Sequence, residues 1–521
     1  MKKTLSLILC VLLLTTFSFS LAETSQFSSP PPMPEGMEPG TPPAKPEGEM
    51  PGGFPGQPPE GMEFGQPPEG MGQPPQKPDD GMPVGMPGGG HSAPTEYAAV
   101  YSVTEDTEFT GEHTSNGVDE NLLHVSSGNA VVTDAVILRQ SGSSTGGDSS
   151  SFYGIGAAVL STGGTVSIRN SSITTDASGG TGVFAYGDGV VFVSDSTITT
   201  AENTSGGIHV AGGGTLYASN LTVETSGESA AAIRSDRGSG LMIVEGGRYT
   251  SHGVGSPAVY VTADISIHDA DLAATGSEAL CMEGLNTVRL FDCSLSGSMQ
   301  DLSQNDNTWT VIVYQSMSGD SQIGKGHFEM SGGNLTSTNG GLFYTTNTES
   351  EFILSDVAIT AAEGCEYFLR CTGNSNQRGW GRSGGNGANC IFTGIRQAMT
   401  GDILWDSIST LDLYATQGST LTGAIINDES CAGEGGRGYC ALYIDETSRW
   451  TVTGNSRLTS LYCAGSIADA EGNTVTIVDA GGNVLEEGTS PYTITVEQFS
   501  STADMQGAGQ PSNSEEHRIP Q

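Results

Sequence analysis

Residues 158–173 read AVLSTGGTVSIRNSSI, residues 183–198 read VFAYGDGVVFVSDSTI, and residues 208–223 read IHVAGGGTLYASNLTV. The three stretches follow one another at a step of 25 residues. Each contains three short runs of β-prone residues that are separated by Gly, Ser, Thr, Asn or Asp. The pattern continues at similar steps through Ile265, Val288 and Phe352. A repeat of this length with three short strands is typical of a β solenoid, in which each copy forms one coil.

The alternation within each run predicts which side chains face the interior. Val166 and Ile168 are two residues apart and point inward, whereas Ser167 and Arg169 face solvent. Stacked coils then form interior columns, for example Val166, Val191, Leu216, Leu241, Ile265 and Val288. One coil cannot bury its apolar face alone, so residues 97–500 should fold as one unit. We expect an all-β, single-stranded right-handed parallel β-helix, with three strands in each coil of about 23–25 residues.

A row of short polar residues lies two positions after the column that contains Ile168. Its members are Asn170, Asp195, Asn220, Glu245, Asp269, Asp292 and Asp356. Asn and Asp form turns by hydrogen bonding to nearby backbone, and we favour this role for the row. Oxygen-rich rows also suit Ca²⁺, but one carboxylate per coil, about 4.8 Å from the next, makes a poor cage. We therefore predict no metal site from the sequence.

The two ends of the chain differ from the repeat. Residues 1–22 resemble a secretory signal peptide, with Lys2 and Lys3 before an apolar stretch and a cleavage motif that ends at Ala22. Residues 23–96 form an arm rich in Pro, Gly and Met, which we expect to be disordered. Residues 501–521 have the composition of a disordered, solvated tail. The predicted location is extracellular or at the cell surface.

The chain is strongly acidic. It has 59 Asp and Glu residues against 19 Lys and Arg residues, and its formal net charge is −40. Such a surface repels phosphate backbones and anionic lipids, so we exclude nucleic acids and membrane surfaces as partners. After the signal peptide no stretch approaches 18 consecutive apolar residues, so we also expect no membrane span.

Insertions interrupt the repeat, and functional residues on a solenoid concentrate in such loops. Two insertions fall between coils, at residues 140–154 and 296–308. Three others follow the first strand of a coil, at residues 315–326, 372–389 and 427–439. Because these three occupy the same turn of different coils, they should project from one side of the helix.

The last three insertions hold much of the scarce positive charge, and we take them as a candidate ligand-binding surface. Its candidate residues are Lys325, Arg378, Trp380, Arg382 and Arg437. A Trp flanked by Arg residues can stack on a sugar ring while the guanidinium groups bind its oxygens. The alternative is that Trp380 folds back and covers the side of the helix.

Eight cysteines remain after removal of the signal peptide, an even number in an exported chain. Two pairs bracket insertions, and we expect disulfides between Cys371 and Cys390 and between Cys431 and Cys440. A third candidate pair is Cys281 with Cys293. Each bridge would stabilise its loop by roughly 2–4 kcal/mol of chain entropy.

The coil pattern resembles the right-handed β-helix superfamily of pectin lyases and polygalacturonases. The stretch from about 97 to 496 more closely resembles a family of uncharacterised exported bacterial β-helix proteins, adhesin-like in character. The recurring phrases are AAIRSDRG at residues 231–238, YQSMSGD at residues 314–320, and WGRSGGN at residues 380–386. This resemblance implies the fold and export, but it brings no activity and no catalytic residues.

The sequence departs from the enzymes of that superfamily. A polygalacturonase-like site needs a tight set of Asp residues, yet the one Asp-Asp pair, Asp79-Asp80, lies in the arm. For lyase-like chemistry the nearest candidates are Arg234, Asp236 and Arg237, which more simply form a local ion pair on a turn. We therefore assign no catalytic residue.

Three functional hypotheses follow from the sequence. The first is a noncatalytic surface or secreted protein that presents the loops to a glycan, a cell-wall component or a host surface. The second is a polysaccharide lyase or glycoside hydrolase, and the third is a structural component of a surface layer or matrix. Low Lys content and high acidity favour the first and third.

Overall fold

Parallel strands dominate the computed structural model, which describes residues 93–141 and 144–520. A sheet of 13 strands, named sheet 1, takes one strand from each coil. In stacking order its strands are Ala99–Val103, Asn121–Val125, Val159–Ser161, Val183–Tyr186, Ile208–Ala211, Ile233–Ser235, Val259–Val261, Leu280–Glu283, Trp309–Tyr314, Gly341–Thr346, Leu369–Cys371, Ile403–Trp405 and Ile425–Asn427.

A sheet of 21 strands, named sheet 2, forms most of the remaining wall of the helix. Its strands are Thr107–Ser115, Asn129–Arg139, Thr165–Arg169, Ser172–Thr175, Val190–Ser194, Thr197–Thr200, Thr215–Thr225, Leu241–Ser251, Asp264–His268, Asp271–Ala274, Thr287–Phe291, Ser294–Gly297, Lys325–Ser331, Asn334–Ser337, Glu349–Ser355, Ala358–Thr360, Asn389–Ile395, Thr410–Thr416, Tyr439–Ile444, Ser460–Cys463 and Gln498–Ser500. Long strands such as Thr215–Thr225 pair with two strands of the preceding coil and so join two faces of the helix. The predicted parallel β-helix with three strands per coil is confirmed.

Two four-stranded sheets complete the C-terminal coils. One contains Ala398–Thr400, Thr420–Gly423, Arg449–Val452 and Ser466–Asp469. The other contains Ser456–Arg457, Thr476–Asp479, Val484–Glu486 and Thr493–Val496. The helical segments are α1 (Asp148–Tyr153) and the 3₁₀ turns Glu429–Cys431 and Ser514–His517. In the part of the chain that the structure describes, no helix is long and apolar enough to cross a membrane.

The interior column that contains Val166 agrees with the sequence except at one coil. Val166, Val191 and Leu216 stack in register and are fully buried. In the next coil the member of this column is Met242 and not Leu241, because Leu216 pairs with Met242. Ile265 and Val288 then continue the column.

The error at Leu241 has a simple physical cause. This coil is one residue longer than the repeat, and a shift of one residue sends every side chain of a strand to the opposite face. Met242 and Val244 are therefore inside, each 0% exposed, whereas Leu241 is half-buried on the outer face. The first repeat shows the same kind of slip, because Val159 rather than Ala158 pairs with Val183.

The polar row after the Ile168 column forms the turns. Its members adopt left-handed backbone angles, as at Asn170 (φ 51°), Asp195 (φ 47°) and Asn220 (φ 50°), which Asn and Asp tolerate better than most residues. In the longer coil Gly246 (φ 67°) takes this position in place of Glu245. Among the described residues no three His, Cys, Asp or Glu side chains form a group that could hold a metal ion.

The C-terminal segment differs from the expected disordered tail. The segment 501–520 runs back along the outer face of sheet 2, where backbone N–H groups of Gly509, Ser512 and Ile519 donate hydrogen bonds to side chains of the helix. Arg518 lies 3.6 Å from Asp269. Polar groups on the outer strand faces supply partners that the composition of the segment does not reveal.

None of the three predicted disulfides is formed, and all eight described cysteines are free thiols. Cys293 lies in the main core, whereas Cys281 faces outward into a separate aromatic cluster, so the wall of sheet 1 separates them. Cys440 is also in the main core while Cys431 lies in a 3₁₀ turn of its loop. Cys371 and Cys390 interact as neighbouring thiols in the core. The predicted signal peptide and the arm up to residue 92 lie outside the described residues.

Candidate functional site

The outer face of sheet 1 carries a column of mostly polar and aromatic side chains. In each strand of sheet 1 the residues on either side of the middle residue point into the core. The middle residue therefore points outward. The column runs in register through Phe184, His209, Arg234, Tyr260, Cys281, Ile312 and Tyr344. Its members come from successive coils and so form one continuous strip.

Four of the insertions rise beside this strip and enclose a groove. Helix α1 belongs to the first of these loops, and the other three lie near residues 299–304, 320 and 378–380. The groove has two ends that share Ser229, Gly255, Pro257 and Tyr260. We name them the charged end, a cavity of about 270 Å³, and the aromatic end, a cavity of about 220 Å³.

The charged end is built around Asp236, which is 3% exposed. Its Oδ2 atom accepts a hydrogen bond from Nε of Arg234 at 2.7 Å and lies 3.0 Å from Nε2 of His209. Burial acts to raise the pKa of Asp236, but Arg234 and His209 outweigh it and hold the pKa below its ordinary value. Asp236 is therefore a fixed negative charge at neutral pH.

His209 lies behind Asp236 and has no exposed surface. Its ring stacks on Phe184 with centroids 4.0 Å apart. Burial lowers the pKa of His209 to about 4 despite the nearby carboxylate of Asp236. The imidazole is therefore neutral at physiological pH and does not reach the groove.

The remaining walls of the charged end come from loops. Arg234 also donates from Nη2 to the hydroxyl of Ser151 in α1 at 2.8 Å. Arg237 lies over the ring of Phe152, 4.2 Å from its centroid, and pairs with Asp320 at 2.9 Å. Ser151 and Asp320 belong to two different loops, and each is 83 residues from its arginine partner in sequence. The contacts therefore attach both loops to one turn of the helix.

The aromatic end is formed by Trp380, Trp309 and Tyr314. The Trp380 ring centroid lies 4.4 Å from that of Tyr314 and 6.0 Å from that of Trp309. Trp380 is half-buried, so it both covers the outer face of sheet 1 and lines the groove. Arg378 lies 5.4 Å from the Trp380 ring centroid and borders the same cavity.

A buried carboxylate anchors the base of the groove. Glu283 is 1% exposed and accepts hydrogen bonds from the hydroxyls of Tyr260 and Tyr314 and from the backbone N–H of Ser316. Burial raises the pKa of Glu283, and the hydrogen bonds of Ser316 and Tyr314 oppose this shift. Because its oxygens are bonded to two strands and one loop, Glu283 positions the groove wall.

The structure brings together only part of the predicted ligand surface. Trp380 and Arg378 line the groove. Arg382 and Arg437 are exposed and border neither of the two cavities. Lys325 belongs to a strand of sheet 2 and pairs with Glu351 at 3.1 Å. Positive charge in a loop therefore does not by itself predict which side chains line the groove.

Several groove residues were missed from the sequence. Trp309, Tyr260, Glu278 and Asp320 all line the groove, and His209 supports it. The alignment of Ile208-His209-Val210 with Val183-Phe184-Ala185 already marked His209 as the outward residue of its strand. The same alignment could have revealed the outward column, whereas the loop residues carry no periodic signal.

A comparison of the chain with models of known protein families, with curated protein sequences and with solved structures found no match. The resemblance to exported bacterial β-helix proteins thus remains a prediction.

Proposed function

We propose that this protein is an exported, noncatalytic glycan-binding protein and that the groove on sheet 1 is its binding site. The observation that carries the proposal is the continuity of an aromatic surface, Trp380, Trp309 and Tyr314, with a polar floor in one groove. Apolar faces of sugar rings stack on aromatic side chains, and sugar hydroxyls need polar partners beside them. An exposed surface outside the cell would suit this activity.

The shape of the groove favours a chain over a compact ligand. The two cavities share a wall and follow the outward column across successive coils, which are spaced by about 4.8 Å. A linear oligosaccharide lying along the stack could contact both ends at once. Ion pairs and hydrogen bonds already fix the loops on either side of the groove. Binding of a ligand therefore costs little further loop entropy.

Two groups of the charged end, Tyr260 and Asp236, are poorly suited to general acid–base catalysis. Burial, with Glu283 and Asp236 nearby, raises the pKa of Tyr260 well above its ordinary value, so it is a poor base at neutral pH. Asp236 has a lowered pKa and is engaged by Arg234. Neither group has the pKa near neutrality that general acid–base catalysis requires.

A binding screen tests the proposal directly. Residues 23–521 are presented to a panel of soluble and insoluble polysaccharides, mucins and cell-wall fractions, and retention is measured. We expect a defined glycan to be retained and Trp380→Ala to weaken its binding at least 10-fold. Arg437→Ala, an exposed loop change outside the groove, is the matched control and should bind normally. Retention that is unchanged in a folded Trp380→Ala variant would contradict the assignment.

A second candidate is an enzyme that cleaves polysaccharides. The observation in its favour is that Asp148, Asp236 and Asp320 line the same cavity as Arg234. Product analysis during the screen separates the two functions, because an enzyme shortens the glycan and a binding protein leaves it intact. Loss of cleavage in Asp320→Asn would then establish the enzyme, and a panel without any retention or cleavage would favour a structural role in a matrix.

A further inference from the structure

We infer that the groove selects glycans that carry free amino groups, in preference to uncharged or acidic glycans. This inference rests on the proposed function and specifies its ligand class. The inference follows from carboxylates that line the groove and have no cationic partner within the protein.

Five carboxylates line the groove, and two of them are neutralised within the protein. Asp236 is paired with Arg234 and Asp320 with Arg237. Asp148, Glu228 and Glu278 form no ion pair with any described Lys, Arg or His.

The opposing positive charge is small. Arg378 borders the aromatic end without a carboxylate partner, and its Nε donates to the side chain of Asn305. Three unpaired carboxylates against this one guanidinium leave the groove negatively charged, within a chain whose own net charge is −40.

Glu278 is the most informative of these groups. It is 8% exposed, lines the aromatic end and accepts a hydrogen bond from the hydroxyl of Ser277. A carboxylate at such a depth without a cationic partner is costly, and a ligand ammonium would supply that partner. The rings of Trp380 and Tyr314 border the same cavity, and Arg378 already lies over the Trp380 ring, so the carboxylate of Glu278 is the group that would attract the ammonium.

A second, independent feature of the aromatic end points to a ligand. Trp309 is 3% exposed, and its indole N–H has no acceptor among the described residues. Buried indole N–H groups usually find a hydrogen-bond partner. Trp309 lines the same cavity as Glu278, where a hydroxyl oxygen of a bound sugar could serve as the acceptor.

The charged end gives little support to a sugar carboxylate. Each nitrogen of the Arg234 guanidinium already donates a hydrogen bond, to Asp236, to the carbonyl of Ser229 and to Ser151. An anionic sugar would meet Asp148 there without a free cation to bind it. Like-charge contacts of this kind discriminate against a ligand.

Matched oligosaccharides test the inference. The probes are glucosamine hexamers of one linkage, either fully N-acetylated or fully de-N-acetylated, together with an oligogalacturonate of equal length. Binding of residues 23–521 is measured by calorimetry at pH 5.5 and low salt. We expect the de-N-acetylated hexamer to bind at least 10-fold more tightly than the N-acetylated one, the oligogalacturonate to bind most weakly, and 0.5 M salt to reduce the preference.

Variants connect the preference to the groove. Glu278→Gln should reduce the preference for the amine over the N-acetylated hexamer at least 5-fold. Glu228→Gln, an exposed change in the same groove, should act in the same direction and covers the case in which Glu278→Gln does not fold. Glu446→Gln, an exposed carboxylate outside both cavities, is the control.

The outcomes separate this inference from the proposed function. Equal affinity for the two hexamers, or tighter binding of the N-acetylated one, would overturn the amine preference but leave glycan binding in place. A preference that survives both Glu278→Gln and Glu228→Gln would also overturn it. The absence of binding to every probe and to the wider glycan panel would overturn both.

Discussion

Two histidines of the β-helix lie in opposite electrostatic surroundings. His209 is fully buried against Phe184, and this burial lowers its pKa to about 4. The side chain of His327 lies 3.0 Å from Glu351 and 3.6 Å from Glu329, and these carboxylates overcome the effect of burial and raise its pKa above 6.5. Hydrogen bonds with His327 and Lys325 in turn lower the pKa of Glu351 to about 2.

These shifts predict opposite contributions to stability as the pH changes. Between pH 6.5 and about 4 the unfolded chain protonates His209 but the folded chain does not, so the His209 contribution to stability falls as the pH falls. His327 binds its proton more tightly in the folded state, so its contribution is complete below pH 6.5 and is lost as the pH rises through its raised pKa.

We therefore expect His209→Gln and His327→Gln to change the pH profile of the unfolding free energy in opposite ways. His209→Gln should flatten the loss of stability between pH 6.5 and 4, whereas His327→Gln should destabilise the protein more at pH 5.5 than at pH 8. Urea unfolding of both variants and the wild type at four pH values measures this. Parallel profiles for the two variants would disprove the assignment.

At the scale of the element, register decides which face of a strand is buried. Met242 and Leu241 are neighbours in one strand, yet only Met242 lies in the core. We predict that Met242→Ala lowers the unfolding free energy by about 2–5 kcal/mol, because it leaves a cavity. Leu241→Ala is the matched control and should cost less than about 1 kcal/mol. A larger loss of unfolding free energy for Leu241→Ala than for Met242→Ala would indicate that Leu241 faces the core, as the repeat predicted.

The C-terminal segment is a second element whose role is testable. Ser512 donates its backbone N–H to Glu329, a carboxylate with no exposed side-chain surface, and Gly509 donates to Thr393. Deletion of residues 505–521 should lower the unfolding free energy by about 2 kcal/mol or more, since it removes these hydrogen bonds and exposes the side chains that the segment covers. Deletion of residues 520–521 alone is the control. An unchanged unfolding free energy after the longer deletion would show that the segment does not stabilise the β-helix.

At the scale of the whole molecule, aromatic stacking links the middle coils. Phe352 contacts the rings of Phe328, Phe343 and Phe392 with centroids 5.6–5.8 Å apart, and it is fully buried. Because each coil contacts only its neighbours, a defect here weakens the coupling between the two halves of the solenoid.

We predict that Phe352→Ala costs about 3–5 kcal/mol and separates the unfolding of the N-terminal and C-terminal coils. Hydrogen exchange with mass spectrometry, followed through a denaturant series, would detect two transitions where the wild type shows one. A single transition at reduced stability would show that coupling across the middle coils survives the loss of this ring.

The sequence by itself determined the class of fold, the period of the coils and most interior columns. These features could be read because burial in a solenoid is local and periodic, so that Val166, Val191 and Leu216 report the same environment at a constant step. The insertions were visible for the same reason, as departures from that step.

Only the tertiary structure decided how the groove is composed, where Leu241 points and where the C-terminal segment lies. Trp309 and Trp380 meet because the loop that carries Trp380 folds over the sheet 1 strand that begins at Trp309, and Arg237 meets Asp320 across 83 residues of chain. Such contacts depend on the number of residues in each turn and on the path of each loop. Neither quantity is periodic, and a single additional residue reverses the face of a strand, so these features became apparent only when the coils were stacked.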